Sequence, residues 1–124
     1  MLLKMPVGQA LNAHTALQKM MAAQFPAKQA FAISRNIARL GACPDVPACE
    51  AARLAAIRNF GVPLPDGAGM TVPPERMAEF LAEFQPIAVA EIEVDITPIP
   101  VAVLERAPDM SPSDMMALEP FWES

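Results

Sequence analysis

The fold is decided by residues 25–40, which read FPAKQAFAISRNIARL. Pro26 suits the first turn of a helix, because its fixed φ matches that turn and its missing N–H costs nothing there. An apolar stripe follows at spacings of three and four residues: Ala30, Ile33, Ile37 and Leu40. Four polar side chains lie largely off this stripe and are expected to face solvent or a partner: Lys28, Arg35, Asn36 and Arg39. The proline therefore turns one helix back onto another, and the pair forms a core.

Length and composition place the chain in the class of single-domain proteins with an ordinary hydrophobic core. It has 124 residues, of which 53% are hydrophobic, so it buries enough surface to need no stapling by disulfides or metals. No apolar run is long enough to span a bilayer, and the N-terminus is too short and too weakly basic for a secretory signal. We expect one domain over residues 1–124, with a helical part at about 7–60 and a second part at about 61–124, and no membrane partner.

Charge is distributed unevenly along the chain. Residues 1–71 carry a balance of +4 and residues 72–124 a balance of −9, which together make the net charge of −5. Two interpretations remain open, namely two solvated faces of opposite sign, or a molecule polarised for head-to-tail packing with copies of itself or with a charged partner. The basic half has no cluster dense enough to predict nucleic-acid binding.

Three helices are predicted in the first half of the chain. The first covers about residues 7–24, with a stripe of Val7, Ala10, Leu11, His14, Leu17 and Met21. The second covers about residues 26–42, and Pro44 and Pro47 interrupt the pattern after it. Asp45 is the predicted N-cap of the third helix, and Gly61 its C′ glycine. The stripe predicted for this third helix is weaker: Ala51, Leu54, Ala55 and Arg58.

The second half mixes extended segments with helices. A short hairpin is predicted to pair residues 62–64 with 70–72 across Asp66-Gly67. A helix begins at Pro74 and is stopped by Pro86, with a stripe of Met77, Phe80, Leu81 and Phe84.

Residues 90–97 alternate apolar and acidic side chains and form the clearest strand, residues 1–5 are a candidate edge strand, and residues 101–104 are predicted to be extended. Ser111 and Asp114 resemble a capping box that opens a short C-terminal helix. The predicted fold class is α+β, a helix-dominated antiparallel helical core with a small, mostly antiparallel β-sheet.

No group of residues in the sequence predicts catalysis. We therefore expect no catalytic site, no cofactor-binding site and no metal site. Cys43 and Cys49 match no zinc pattern and are interpreted as thiols, with a disulfide as the alternative in an oxidising compartment. His14 is interpreted as a packed core histidine. The acidic row of Glu91, Glu93 and Asp95 is interpreted as a solvated strand face, and a metal-dependent hydrolase built on it is a third, minor hypothesis.

Methionine is abundant, with nine residues in the chain. Met20 and Met21 are sequence neighbours, as are Met115 and Met116, and two neighbours on a helix cannot both point inward. Methionine packs adaptably at binding surfaces, and aromatic residues are enriched among interface anchors. The candidate interface residues are therefore these four methionines with two aromatics of the tail: Met20, Met21, Met115, Met116, Phe121 and Trp122. For most methionines core filling is the default, and for the two aromatics a tail folded back onto its own core is the alternative.

Three segments together resemble a family of small uncharacterised proteins encoded by tailed bacteriophages. They are PAKQAF with RNIARL in residues 26–40, FLAEF leading into EIEVDI in residues 80–96, and SPSDMMALEPF in residues 111–121. The resemblance covers about residues 2–123. In that family the second helix runs on with few breaks, whereas Pro44 and Pro47 interrupt it here. The family brings no active-site residues to carry over.

The resemblance implies a phage gene product, found in the virion or in the host bacterial cytoplasm. The first functional hypothesis is a non-enzymatic structural or assembly protein that binds copies of itself or another virion protein. The alternative is a phage accessory protein that binds and inhibits a host protein, because an acidic half can cover a basic surface.

Overall fold

The computed structural model describes residues 1–123 and shows a helix-dominated α+β fold, which confirms the predicted class. Two two-stranded antiparallel sheets accompany the helices. In chain order the elements are β1 (Leu2–Pro6), α1 (Val7–Met20), α2 (Ala27–Ala42), α3 (Asp45–Phe60), β2 (Val62–Pro63), β3 (Met70–Thr71), α4 (Met77–Ala88), β4 (Glu91–Asp95) and α5 (Pro112–Leu118). Short 3₁₀ turns cover Pro74–Arg76, Val101–Glu105 and Glu119–Phe121.

Helix α1 is the centre of the fold, because it packs against α2, α3 and α5 and touches α4. Its alanines at positions 10, 13 and 16 are fully buried, and such short side chains let neighbouring helices approach closely. Gly8 serves the same purpose at the α4 contact, where an added Cβ would lie 3.0 Å from the Ala88 Cβ. The core is therefore packed around one small-residue helix.

Strands β1 and β4 pair antiparallel, with Leu3 opposite Val94 and Met5 opposite Ile92. Ile92 and Val94 are buried, and their neighbours Glu91 and Glu93 are exposed. The predicted alternation of this strand is thus confirmed, as is the predicted N-terminal edge strand. The apolar face of the sheet joins the core formed by α1 and α2.

Asn36 of α2 departs from its predicted position toward solvent, because it is the one fully buried polar residue among those described. Its Nδ2 donates to the Thr97 carbonyl oxygen at 2.8 Å, and its Oδ1 accepts from the Thr97 N–H at 2.8 Å. The amide side chain thus satisfies both backbone groups of the residue two positions beyond β4. Arg39, one turn later, donates to the Asp95 carbonyl oxygen at 3.1 Å. Side chains of α2 therefore cover the outer edge of β4.

Several predicted helix boundaries and faces are corrected. Helix α1 ends at Met20, four residues before the predicted end at about residue 24. Asp45 was predicted as the N-cap of α3 but is its first helical residue, because Pro44 occupies the N-cap. The buried residues of α3 are Val46, Cys49 and Ala56 rather than the predicted stripe. Leu54 is exposed. The reason is that α3 packs against α1 on one side and α4 on another. Its buried residues are therefore spread over two sides of the helix and do not form a single apolar stripe.

Two proline-bounded segments also differ from prediction. Pro86 lies inside α4, which continues to Ala88, and the Val89 N–H donates to the Gln85 carbonyl oxygen at 3.0 Å. A proline in the last turn removes one helical hydrogen bond, and at this exposed position the carbonyl oxygen left without that bond is open to solvent. The segment Val101–Glu105 is a 3₁₀ turn with Val103 buried, not an extended strand.

The predicted hairpin is confirmed, with Val62 opposite Thr71 and Pro63 opposite Met70. Gly61 leads into it from α3 in an extended conformation with φ −87° and ψ 164°, not in the left-handed conformation typical of a C′ glycine. Its N–H donates to the Ile57 carbonyl oxygen at 2.6 Å. A glycine is required here by close approach of the backbone, since a Cβ would collide with that same oxygen.

We expect Gly61→Ala to lower the free energy of unfolding by about 1–3 kcal/mol, the usual cost of forcing extra atoms into a packed site. Gly41→Ala is the matched control, because its added Cβ would meet only His14 Nε2 at 3.4 Å. Alanine is favoured over glycine inside a helix by roughly 0.5–1 kcal/mol, so the control is neutral or stabilising. Urea denaturation of both variants measures the difference, and equal stabilities would contradict the assignment.

The predicted capping box of α5 is confirmed. The Asp114 N–H donates to Ser111 Oγ at 3.1 Å, and the Ser111 N–H donates to Asp114 Oδ2 at 3.1 Å. Lys19 Nζ of α1 donates to the same Oδ2 at 2.9 Å. The Lys19 ammonium, followed by the Ser111 N–H, holds the pKa of the Asp114 carboxyl below its ordinary value. One carboxylate therefore both caps α5 and ties it to α1.

Because the pKa of Asp114 is lowered on folding, its ionised carboxylate stabilises the folded state at pH values above about 4, the ordinary pKa of aspartate. This contribution is lost as pH falls through the lower folded value. We expect Asp114→Asn to cost up to about 1 kcal/mol at pH 7, since Lys19 is half exposed, and to flatten the stability loss below about pH 4. Urea midpoints between pH 3 and 7 test this, and an unchanged acid limb would contradict it. Ser111→Ala removes the cap without the charge and is expected to cost about 1 kcal/mol at every pH.

Candidate interaction surfaces

The structure divides the six predicted interface residues into core and surface positions. Met20 and Phe121 are fully buried in the main core cluster, so their assignment to an interface is wrong. The neighbours on a helix do separate as argued, because Met20 points inward while Met21 is 61% exposed. Phe121 is buried because the tail folds back, with the Ile99 N–H donating to the Phe121 carbonyl oxygen at 2.8 Å.

The remaining four candidates do not form one surface. Met116 is 71% exposed, and Met115 and Trp122 are half-buried. Met21 lines a groove with Phe25 and Ser34, between the end of α1 and α2. Met116 lines a different hollow with Gln9 and Asn12, between α1 and α5. The exposed methionines therefore belong to separate parts of the surface.

A further apolar surface lies on α4, the helix with the predicted stripe of Met77, Phe80, Leu81 and Phe84. No residue of this helix is buried. Met77, Leu81 and Ile87 are 39–41% exposed, and Val89 just beyond the helix is exposed as well. Phe80 and Phe84 are half-buried, with ring centroids 5.8 Å apart. We call Met77, Leu81, Ile87 and Val89 the α4 surface.

The position of α4 at the edge of the molecule explains this exposure. Arg76, just before α4, stacks over the Phe60 ring at the end of α3, 5.2 Å from the centroid. At the other end, Ile87 shares a hollow with Asp45 and Ala48 at the start of α3. The two helices are therefore antiparallel neighbours, and α3 covers one strip of α4 while both flanks of its apolar face stay in contact with solvent. Helix α4 carries more apolar side chains than a single contact with α3 can cover. This excess is visible in the sequence and could have indicated that part of its apolar face is exposed.

A second surface lies on the solvent side of α2. Lys28, Phe31 and Arg35 recur at three and four residues and so share one face of the helix. Phe31 is 60% exposed, and the Arg35 guanidinium lies 5.7 Å from the centroid of its ring. We call these three residues the α2 surface. Phe31 lies within residues 25–40, which decide the fold, but it is not part of the core. It is exposed because α1 covers the opposite face of α2.

The acidic row on β4 is exposed, as predicted, but only part of it is paired. The Met1 α-amino group lies 2.9 Å from Asp95 Oδ1, and Arg39 Nη1 lies 3.1 Å from Asp95 Oδ2. The α-amino hydrogen bond, with help from the Arg39 charge, lowers the pKa of the Asp95 carboxyl. Glu91 and Glu93 form no ion pair with any other described residue. Asp95 thus ties β4 to α2, and its two acidic neighbours face solvent.

His14 lies half-buried in a groove of about 330 Å³ between α1, α2 and α3. It packs toward Gly41, and Glu50 lines the same groove. Within residues 1–123, no three His, Cys, Asp or Glu side chains are grouped so as to hold a metal ion. Cys43 and Cys49 are both free thiols, and burial raises the pKa of the Cys49 thiol, with Glu50 adding to the effect. A buried thiol of raised pKa is a poor nucleophile.

The fold and these surfaces define a small helical α+β protein whose exposed features are apolar and charged helix faces. Comparison with known protein families, with curated proteins and with solved structures finds no match. Over the described part of the chain, no helix has the length and apolar character needed to cross a membrane.

Proposed function

We propose that this chain is a non-enzymatic structural or assembly protein of a tailed bacteriophage, which binds copies of itself or another virion protein. The observation that carries the proposal is the α4 surface, where Met77, Leu81 and Ile87 stay 39–41% exposed on a helix at the edge of the molecule. Exposed apolar surface on one element can mark an interaction site in a soluble protein. The resemblance to phage proteins supplies the biological context, and with it a location in the virion or in the host bacterial cytoplasm.

Mass spectrometry of purified phage particles tests this function directly. We expect the chain among the virion proteins, or bound to capsid or tail proteins when these are purified during assembly. Light scattering of the chain alone and with capsid and tail proteins provides the second measurement. A strict monomer that binds none of them and is missing from purified particles would sink the proposal.

One observation favours the alternative function, inhibition of a host protein. Glu91 and Glu93 present unpaired carboxylates beside one another on the exposed face of β4, and such a face can cover a basic surface on another protein. A pull-down from host lysate separates the two functions. One host protein recovered in near-equal amount supports inhibition, whereas recovery of virion proteins supports assembly.

A further inference from the structure

We propose that the hollow between the start of α3, the end of α4 and the start of β4 receives a lysine side chain of a partner protein. The hollow has a volume of about 370 Å³, and its lining combines two carboxylates, Asp45 and Glu91, with apolar side chains. The inference rests on the proposed function in one respect, namely that the chain binds another protein. It adds the chemistry through which that protein is recognised.

The floor of the hollow is apolar. Val7, Cys49 and Ile92 line it and are themselves buried. Ala48 of α3 has only a short side chain and so leaves space above this floor, and Ile87 forms part of the wall with 41% of its surface exposed. An aliphatic chain in the hollow removes this apolar surface from water, whereas a small hydrated cation does not.

The chain leaves both carboxylates of the hollow without a partner. Asp45 is in the first turn of α3 and Glu91 is the first residue of β4, and both are exposed. Neither forms an ion pair with any residue that the structure describes. Among the described residues, no lysine, arginine or histidine lines the hollow. Arg53, one turn after Cys49 on α3, is already paired with Glu50 at 3.1 Å.

The sheet register singles out Glu91 among the acidic residues of β4. Glu93 lies opposite Lys4 in the strand pair, whereas Glu91 lies opposite Pro6, which carries no charge. Asp95 is held by two ion pairs. Glu91 is thus the carboxylate of this row with no cation opposite it or bonded to it within residues 1–123, and it is also the one that lines the hollow.

This combination of groups favours a lysine side chain over other cations. A calcium ion takes six to eight oxygen ligands, and within the described chain no three acidic, cysteine or histidine side chains are grouped to hold a metal ion. Lysine joins an aliphatic stem, which covers apolar surface, to an ammonium with three donors. One ammonium can therefore bond to carboxylates that come from two separate elements. The planar fork of arginine is better matched to the two oxygens of a single carboxylate.

The position of the hollow points to a lysine carried by a protein. Ile87 belongs both to the hollow and to the α4 surface, and the exposed Val89 follows it. A protein that covers this end of the α4 surface therefore lies over the hollow as well. The net charge of −5 attracts a basic partner at long range, and the two carboxylates repel a partner that places an acidic residue here.

A nuclear magnetic resonance titration of the full-length chain tests the hollow, with Nα-acetyl-lysine methylamide as the probe. We expect saturable shifts of the Ala48, Ile87 and Glu91 backbone amides, with a dissociation constant in the millimolar range that rises with salt. The norleucine analogue lacks the ammonium, and ammonium chloride lacks the stem. Each is expected to bind about tenfold more weakly or less.

The charges are tested by Asp45→Asn combined with Glu91→Gln, which keeps the shape of both side chains. We expect this double variant to bind the lysine probe about tenfold more weakly. Glu93→Gln combined with Glu105→Gln is the matched control, because it makes the same change in net charge at two exposed positions that do not line the hollow. We expect the control to bind the probe like the wild type.

The apolar wall is tested by Ile87→Ser, which leaves both carboxylates in place. We expect the lysine probe to bind about threefold more weakly or less, because part of the surface that covers its stem is lost. Val89→Ser is the matched control, since Val89 is exposed nearby but does not line the hollow. Circular dichroism melting of every variant confirms that the fold is retained.

Four outcomes overturn the proposed lysine site. They are a lysine probe that causes no saturable shift at the hollow, a norleucine analogue that binds equally well, a double variant that binds like the wild type, and putrescine that binds about tenfold more tightly than the lysine probe. The last of these would assign the hollow to a free amine.

The result is separable from the proposed function. A chain that is present in purified phage particles but takes no lysine probe keeps the virion role and loses this contact. A chain that takes the probe but is missing from the particles keeps the contact and loses the virion role.

Discussion

Phe121→Ala is expected to lower the free energy of unfolding by about 3–5 kcal/mol, the usual cost of removing a buried phenylalanine. Phe121 is the largest fully buried side chain of the described structure. Two backbone hydrogen bonds with Ile99 hold the chain around it. The Ile99 N–H donates to the Phe121 carbonyl oxygen, and the Glu123 N–H donates to the Ile99 carbonyl oxygen, each at 2.8 Å. These bonds limit how far the tail can collapse into the space that the ring leaves. Because single domains are stable by only about 5–15 kcal/mol, this change removes a large share of the total.

Phe31→Ala is the matched control, because it makes the same chemical change at a ring that is exposed on α2. We expect it to alter stability by less than about 0.5 kcal/mol. Urea denaturation of both variants at low protein concentration, where any assembly is dissociated, gives the comparison. The opposite ranking, with Phe31 costly and Phe121 cheap, would contradict the burial of Phe121 and favour the interface role that was one of the two predictions for the tail.

Asn36→Leu is expected to cost about 2–4 kcal/mol, because it leaves the Thr97 N–H and carbonyl without their partners. Each buried polar group left unsatisfied costs roughly 1–3 kcal/mol, and Thr97 is half-buried. The leucine is also too bulky to keep α2 at its present distance from the segment after β4. Urea denaturation measures the loss, and a loss below 0.5 kcal/mol, the range of an ordinary surface substitution, would falsify the assignment.

Asn36→Asp provides a sharper control of the same contact. A protonated carboxyl donates to the Thr97 carbonyl and accepts from the Thr97 N–H, as the amide does, whereas an ionised one only accepts. Burial raises the folded-state pKa of a carboxyl at this position. The variant is therefore expected to be strongly destabilised at pH 7 and to regain stability relative to the wild type as pH falls toward 5. A difference from wild type that does not change with pH would contradict a bidentate contact.

The sequence predicted most elements because their signals are local. Pro26, the stripe from Ala30 to Leu40, the alternation around Ile92 and Val94, and the capping box at Ser111 each depend on residues within a few positions of one another. The same locality explains the errors. Pro86 alone predicts the end of a helix, yet it lies in the exposed last turn of α4, where the carbonyl oxygen that loses its hydrogen bond is open to solvent and the helix continues to Ala88.

The candidate interface was predicted less well, because exposure depends on which other elements cover a helix. Met21 and Met116 are exposed, as interface candidates should be, although Met21 was also placed on the apolar stripe of the first helix. Met20 and Phe121 are in the core, and Met77 and Leu81 of the stripe predicted for α4 are exposed. An apolar stripe shows that a helix has something to bury. Whether it finds a partner within its own chain depends on packing between distant segments, which periodicity does not report.

The amino-acid order by itself determined the α+β class, the main helices, the strands, the short hairpin and the separation of basic and acidic halves, but not the pairing of β1 with β4. Only the tertiary structure decided that Asn36 lies inside and holds Thr97, that Phe121 belongs to the core, and that α4 keeps an uncovered apolar flank. The physical reason is that hydrogen bonding along a helix or across a turn is local, whereas burial results from contacts such as Asn36 with Thr97, 61 positions apart in the chain.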